Sequence, residues 1–163
     1  MRRRLNFSSL LAVVAFGLAA TSSDARAQDT VRVAVPSLAS FDVTDVLASA
    51  AASSNPTRVS FDNAVIPPTQ VIRISVRADS DLAGPESSSI PASNVSWTTS
   101  NVTNGIGVNG VLSKTSYTVA FEGQPMATTG GVDIAWTLSA PGAAVRAGTH
   151  QATLRWKIEA ITP

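Results

Sequence analysis

The sequence predicts an all-β fold, an antiparallel sandwich of about seven or eight strands. Three observations carry that expectation. Several segments alternate apolar and polar residues with period 2, which sends one set of side chains to a core and the other to solvent. Turn-forming pairs separate these segments at Pro67-Pro68, Gly84-Pro85, Asn104-Gly105, Asn109-Gly110, Gly130-Gly131 and Pro141-Gly142. Only residues 46–54, with Val-Leu-Ala-Ser-Ala-Ala-Ala, offer a run of good helix formers, and that run suits a loop equally well.

Taken in order, residues 30–35 alternate ahead of Pro36 and predict a first strand. Residues 57–61 form a second. Residues 70–78 are clearer, with Ile72, Ile74 and Val76 on one face and Arg73, Ser75 and Arg77 on the other. Residues 94–99, 116–121 and 132–138 are rich in Val, Thr and aromatics, the residues that suit a pleated, half-buried surface. The last run is the most regular. Ala152, Leu154, Trp156, Ile158 and Ala160 share one face, while Thr153, Arg155, Lys157 and Glu159 share the other. A helix would scatter both sets around its circumference.

Residues 1–27 have a different character. Met1-Arg2-Arg3-Arg4 precedes an apolar run from Leu10 to Ala20, and the segment closes on Ala25-Arg26-Ala27. A basic start, a short apolar middle and an Ala-x-Ala end predict a secretory signal peptide cleaved before Gln28. Its apolar run is shorter than the roughly 20 residues that span a bilayer, so it predicts an address and no membrane anchor in the mature form. The expected organisation is a leader over 1–27 and one sandwich domain over 28–163, with 28–56 as a semi-independent N-terminal strand and linker. The expected destination is outside the cytoplasm, in the periplasm or at the extracellular surface.

Loss of the leader removes four of the 12 basic residues (Arg2, Arg3, Arg4, Arg26) and one of the 11 acidic ones (Asp24). Eight basic and ten acidic residues remain, so the processed chain is mildly acidic. Without a basic stripe, the attraction that dominates nucleic-acid binding is missing, as is a polybasic patch for anionic lipid. The chain contains no cysteine, which excludes disulfide staples, thiolate metal sites and a lipid-modified N-terminal Cys. Its length is sufficient for one core without such staples.

Chemistry-bearing residues are sparse. The single histidine, His150, predicts a surface position at the entry to the final strand, and neither a Gly-x-Ser-x-Gly elbow nor a second His accompanies it. A glycoside-type hydrolase would need only paired carboxylates, but none of the Asp and Glu residues is flanked by the aromatics and amides of a sugar cleft. Asp79 and Asp81 after one strand, with Asp42 and Asp45 in an earlier loop, are candidate calcium ligands from two loops. The competing reading is that these aspartates stabilise turns, and no other cofactor is expected. Trp97, Trp136 and Trp156 each follow an aliphatic residue by two, which turns all three toward one core. The alternative is an aromatic platform for sugar rings, with Trp97, Asn101 and Asn104 as candidate ligand contacts.

From Gln70 onward the chain resembles a loose group of bacterial exported Ig-like β-sandwich proteins, among them surface-associated and pilus-type subunits. The resemblance rests on Ile134-Ala135-Trp136-Thr137-Leu138 before Pro141-Gly142, and on Ala147-Gly148-Thr149 leading into Leu154-Arg155-Trp156-Lys157. The cysteine pair common in fimbrial subunits is absent. The resemblance implies an Ig-like fold and an exported destination, while the cysteine-free composition, few titratable groups and lack of a catalytic constellation predict a non-enzymatic structural or adhesive role at the cell envelope or in the extracellular matrix. Expected partners are other envelope or matrix proteins, or the chain itself if residues 30–35 complete a neighbour's sheet by strand addition. The second expectation is a module that binds carbohydrate or another envelope polymer.

Overall fold

The structure, a computed structural model, describes residues 31–163, so the leader reading on 1–27 lies outside the described residues. Thirteen strands follow one another: β1 (Arg32–Ala34), β2 (Leu38–Val43), β3 (Ala50–Ala51), β4 (Thr57–Asp62), β5 (Val71–Ala78), β6 (Leu82–Ala83), β7 (Ser89–Ile90), β8 (Val95–Thr103), β9 (Gly105–Gly107), β10 (Gly110–Val111), β11 (Thr118–Gly123), β12 (Gly130–Leu138) and β13 (Gly148–Ile161). Two sheets result, both antiparallel. The first runs β1-β4-β12-β8-β10, with β3 beside β12. The second runs β7-β6-β13-β5-β11-β9, with β2 beside β13. The all-β sandwich expected from the period-2 pattern is therefore the fold.

Two long strands organise the sheets. On one edge β12 pairs with β8, and on the other it meets β4 at Gly130–Ile134 and β3 at Thr137 and Leu138. Between β4 and β3 the ladder is completed by a side chain. Asn55 Nδ2 donates to the Trp136 carbonyl and its Oδ1 accepts the Trp136 N–H, both at 2.8 Å. In the second sheet β13 carries β5 over Leu154–Ile161 and, after an outward detour at Asp79–Asp81, β6 opposite Gln151. Its other edge carries β2 over Gly148–Thr153.

Alternation fills the space between the sheets. Phe41, Val43, Val59, Ile74, Leu82, Ile90, Phe121, Ile134 and Leu138 are all fully buried. The three indoles form a chain across the interior: Trp97 and Trp136 are direct cross-strand neighbours with ring centroids 5.4 Å apart, and Trp156 approaches Trp136 edge-on at 6.5 Å from the opposite sheet. Each indole N–H is satisfied, Trp97 by the Val108 carbonyl, Trp136 by Thr57 Oγ1 and Trp156 by the Pro36 carbonyl. A buried indole is tolerated only with such a partner.

One open alternative is decided and one local expectation is corrected. Residues 46–54 form no helix; they turn and then become β3, with Ala50 and Ala51 on β12 and Ala52 bridged to Phe41 of β2. Contacts to both sheets outweigh alanine's helix propensity, a weak preference of tenths of a kcal/mol per residue. Gly130-Gly131 is no turn but the start of β12. A Cβ at Gly130 would lie 2.6 Å from the Phe61 ring, and one at Gly131 would lie 2.6 Å from the Val59 carbonyl. Glycine is required here for close approach, and the turn lies just upstream.

Because Trp136 is the central ring of the indole chain, Trp136→Ala is expected to cost about 3–5 kcal/mol. Urea denaturation of the variant checks this.

Candidate interaction surface

The outward face of the second sheet is a solvated lattice of charges. Arg77 and Arg155 stand directly opposite each other, a repulsive placement relieved by Asp79. Arg155 Nε and Nη2 donate to the two Asp79 oxygens at 2.7 and 2.8 Å, and Arg77 approaches the same carboxylate at 3.8 Å. Arg73 pairs with Glu122 at 2.7 Å, Lys157 with Glu159 at 2.7 Å, and the Arg77 guanidinium lies 5.4 Å from the Tyr117 ring centre. Exposed pairs of this kind contribute little individually.

The edge of this sheet is more informative. Backbone groups in an antiparallel strand point alternately to the two neighbouring strands. On β13 the Thr153 carbonyl accepts from Asp79 on the β5 side, whereas the Leu154 N–H donates to Ser37 on the β2 side. Even-numbered residues of β13 therefore address the β2 edge. That edge is covered only as far as Leu154, because the chain leaves at Ser37 and Pro36 and crosses to the other sheet, where β1 pairs with β4. Beyond this point the backbone N–H and C=O groups of Trp156, Ile158 and Ala160 have no strand partner among the described residues. Ile158 is 37 % exposed and Ala160 is also exposed, so the inward-turned side of this stretch is not closed off by the other sheet.

The candidate calcium ligands are not brought together. Among the described residues no group of three or more His, Cys, Asp or Glu is placed to hold a metal ion. Asp79 is clamped by Arg155. Asp81 accepts the Ala92 N–H at 3.0 Å and the Lys114 ammonium at 2.5 Å. Asp45 caps its own turn by accepting the Leu47 N–H at 2.8 Å, and Asp42 accepts from Thr149 Oγ1 at 3.4 Å.

The candidate ligand contacts also have other employment. Trp97 is 2 % exposed, with its ring in the core, and offers no face for stacking from solvent. Asn101 (φ 47°) donates to Asp133 at 2.8 Å and lends its carbonyl to Arg58 at 2.7 Å. Asn104 (φ 50°) donates to the Thr129 carbonyl at 3.0 Å. Both are left-handed, Asn101 at the bulge where β8 shifts register against β12 and Asn104 just after β8, a conformation asparagine tolerates better than most residues.

His150 overturns its expected surface position, since it is fully buried. A carbonyl can only accept, so Gly148 O, 3.1 Å away, assigns the proton to Nδ1, and Nε2 accepts from Ser88 Oγ–H at 3.0 Å. This is the hydrogen-bond order of a base-activated serine. Ser88 N–H is committed to the Pro85 carbonyl. Neither the concavity of about 330 Å³ beside Asp81 and Lys114 nor the one of about 190 Å³ beside Val65 and Met126 is lined by Ser88 or His150. The pair fastens the loop at Gly84–Ser88, where Glu86 (φ 50°) and Ser87 (φ 63°) are both left-handed. Gly84 lies directly on the imidazole, and a Cβ there would sit 2.2 Å from Nε2. In sequence this burial had one signal, the even numbering that places His150 on the face of Ala152 and Leu154.

Comparison with protein-family models, curated proteins and solved structures finds no match to this chain.

Two outcomes follow from these contacts. Gly84→Ala is expected to destabilise by roughly 1–3 kcal/mol, since the imidazole cannot retreat from a filled core; thermal unfolding measures it. Asp79 is held below its ordinary pKa chiefly by the Arg155 hydrogen bond, Asp81 chiefly by that of Lys114, and Asp133 chiefly by that of Asn101 followed by Arg58. A carboxyl with a lower pKa folded than unfolded stabilises above the unfolded value and loses that contribution as pH falls through the folded one. The urea midpoint should therefore be level from neutral pH to about pH 5 and decline below about pH 4.

Proposed function

We propose that this chain is an exported, non-enzymatic structural or adhesive protein of the cell envelope or extracellular matrix, which enters an assembly through the open edge of β13. The unpaired backbone ladder at Trp156, Ile158 and Ala160 carries the reading, because such a row is a template for another strand unless something blunts it. The three-part leader pattern, the cysteine-free composition and the likeness to bacterial exported Ig-like sandwich proteins support the same reading. The side chains with chemical potential are also consistent with it, each being spent on a turn, an ion pair or a loop fastening.

Ala160→Pro tests the proposal. The Ala160 N–H faces the open edge, so proline removes a donor that the fold does not use and blocks an incoming strand. The variant is expected to melt within about 4 °C of the parent. It should also be lost from the envelope or matrix fraction of the producing cells. Retention of a folded variant in that fraction at the parental level would overturn the reading.

A further inference from the structure

We infer that the strand occupying the open edge of β13 is β13 of a second copy, paired antiparallel about a two-fold axis through Ile158. This rests on the assembly reading above and adds the partner and the register. The backbone sets the first condition. Edge-facing groups belong to even-numbered residues, so a hydrogen-bonded antiparallel pair must join even to even. Three symmetric registers satisfy it near the middle of the open stretch, centred on residue 157, 158 or 159.

The outward side chains choose among them. Centring on 157 sets Lys157 against its own copy, and centring on 159 does the same with Glu159. Like charges directly opposite are destabilising. Centring on Ile158 sets Lys157 of each copy opposite Glu159 of the other, twice over. The same register places Ile158 against Ile158 and Trp156 against Ala160. Ile158, at 37 % exposure the exposed large apolar residue of β13, then packs across the axis. The Lys157–Glu159 pair already present within one copy at 2.7 Å becomes half of a four-membered alternating cluster. Such a contact is isologous and closes at two copies.

A second copy's β13 is favoured over exchange of the N-terminal strand, because β1 is already paired with β4 and exchange would first break that ladder. Pairing through β13 breaks nothing.

Charge variants of the processed chain test the register by sedimentation velocity across a concentration series. The parent is expected to dimerise with rising concentration. Glu159→Lys places four positive charges in the cluster and Lys157→Glu places four negative ones, and each variant alone should dimerise about tenfold or more weakly, about 1.4 kcal/mol. Mixed in equal amounts, the two should form a heterodimer with affinity near the parent's. Only a contact between chains predicts that recovery, since mixing restores no pair within one chain. Melting curves of the single variants confirm that they fold. A parent that stays monomeric throughout, or variants that dimerise as well as the parent, would overturn the inference. So would a dimer that survives Ala160→Pro and disappears on deletion of residues 28–35, which would instead assign the partner as an exchanged N-terminal strand. If the parent is monomeric while Ala160→Pro still leaves the envelope fraction, the self-pairing fails and the assembly reading stands.

Discussion

Each edge of a β-strand presents a row of backbone donors and acceptors, and β13 is longer than the strands that cover it. Its fourteen residues meet β5 and β6 along one side, but β2 covers only the first six on the other. The cause is local. At Pro36 the chain stops tracking β13 and crosses to the opposite sheet, and the Trp156 indole N–H holds the Pro36 carbonyl at the crossing. One ring thus helps to close the core and marks where the edge becomes open. Both the proposed function and the inferred partner descend from that crossing.

The core explains why the edge can stay open without loosening the fold. Trp97 and Trp136 from one sheet and Trp156 from the other span the interior, and every indole has a hydrogen-bond acceptor. Among the described residues no buried side-chain polar atom lacks a partner. Such satisfaction matters in a cysteine-free domain, where packing and hydrogen bonds supply the whole stability. Asn55 illustrates the economy, since its amide substitutes for a missing strand residue opposite Trp136. His150 and Ser88 do the same for a loop.

Much of this was legible in the sequence, because period-2 alternation reports directly on a sheet with one buried face. Residues 70–78 and the final run match β5 and most of β13, and the inward direction of all three tryptophans followed from the aliphatic residue two positions before each. The rest depended on contacts between distant residues. β2 also alternates, with Ala39, Phe41 and Val43 inward, but Asp42 and the nearby Pro36 disguise it as linker. Alanines at 50–52 read as helix or loop alike because their neighbours on β2 and β12 are invisible locally. His150 read as a surface residue because its lid, Gly84 to Ser88, is more than sixty positions away. The open edge was beyond reach for the same reason, since it is a property of where β2 stops and not of any residue in β13.

Amide hydrogen exchange in the final strand, followed in dilute monomer, tests the central claim most directly. An open edge predicts alternation: the amides of Arg155, Lys157 and Glu159, which bond to β5, exchange orders of magnitude more slowly than those of Trp156, Ile158 and Ala160. Uniform protection of all six would mean that the monomer covers its own edge and leaves no ladder for a partner.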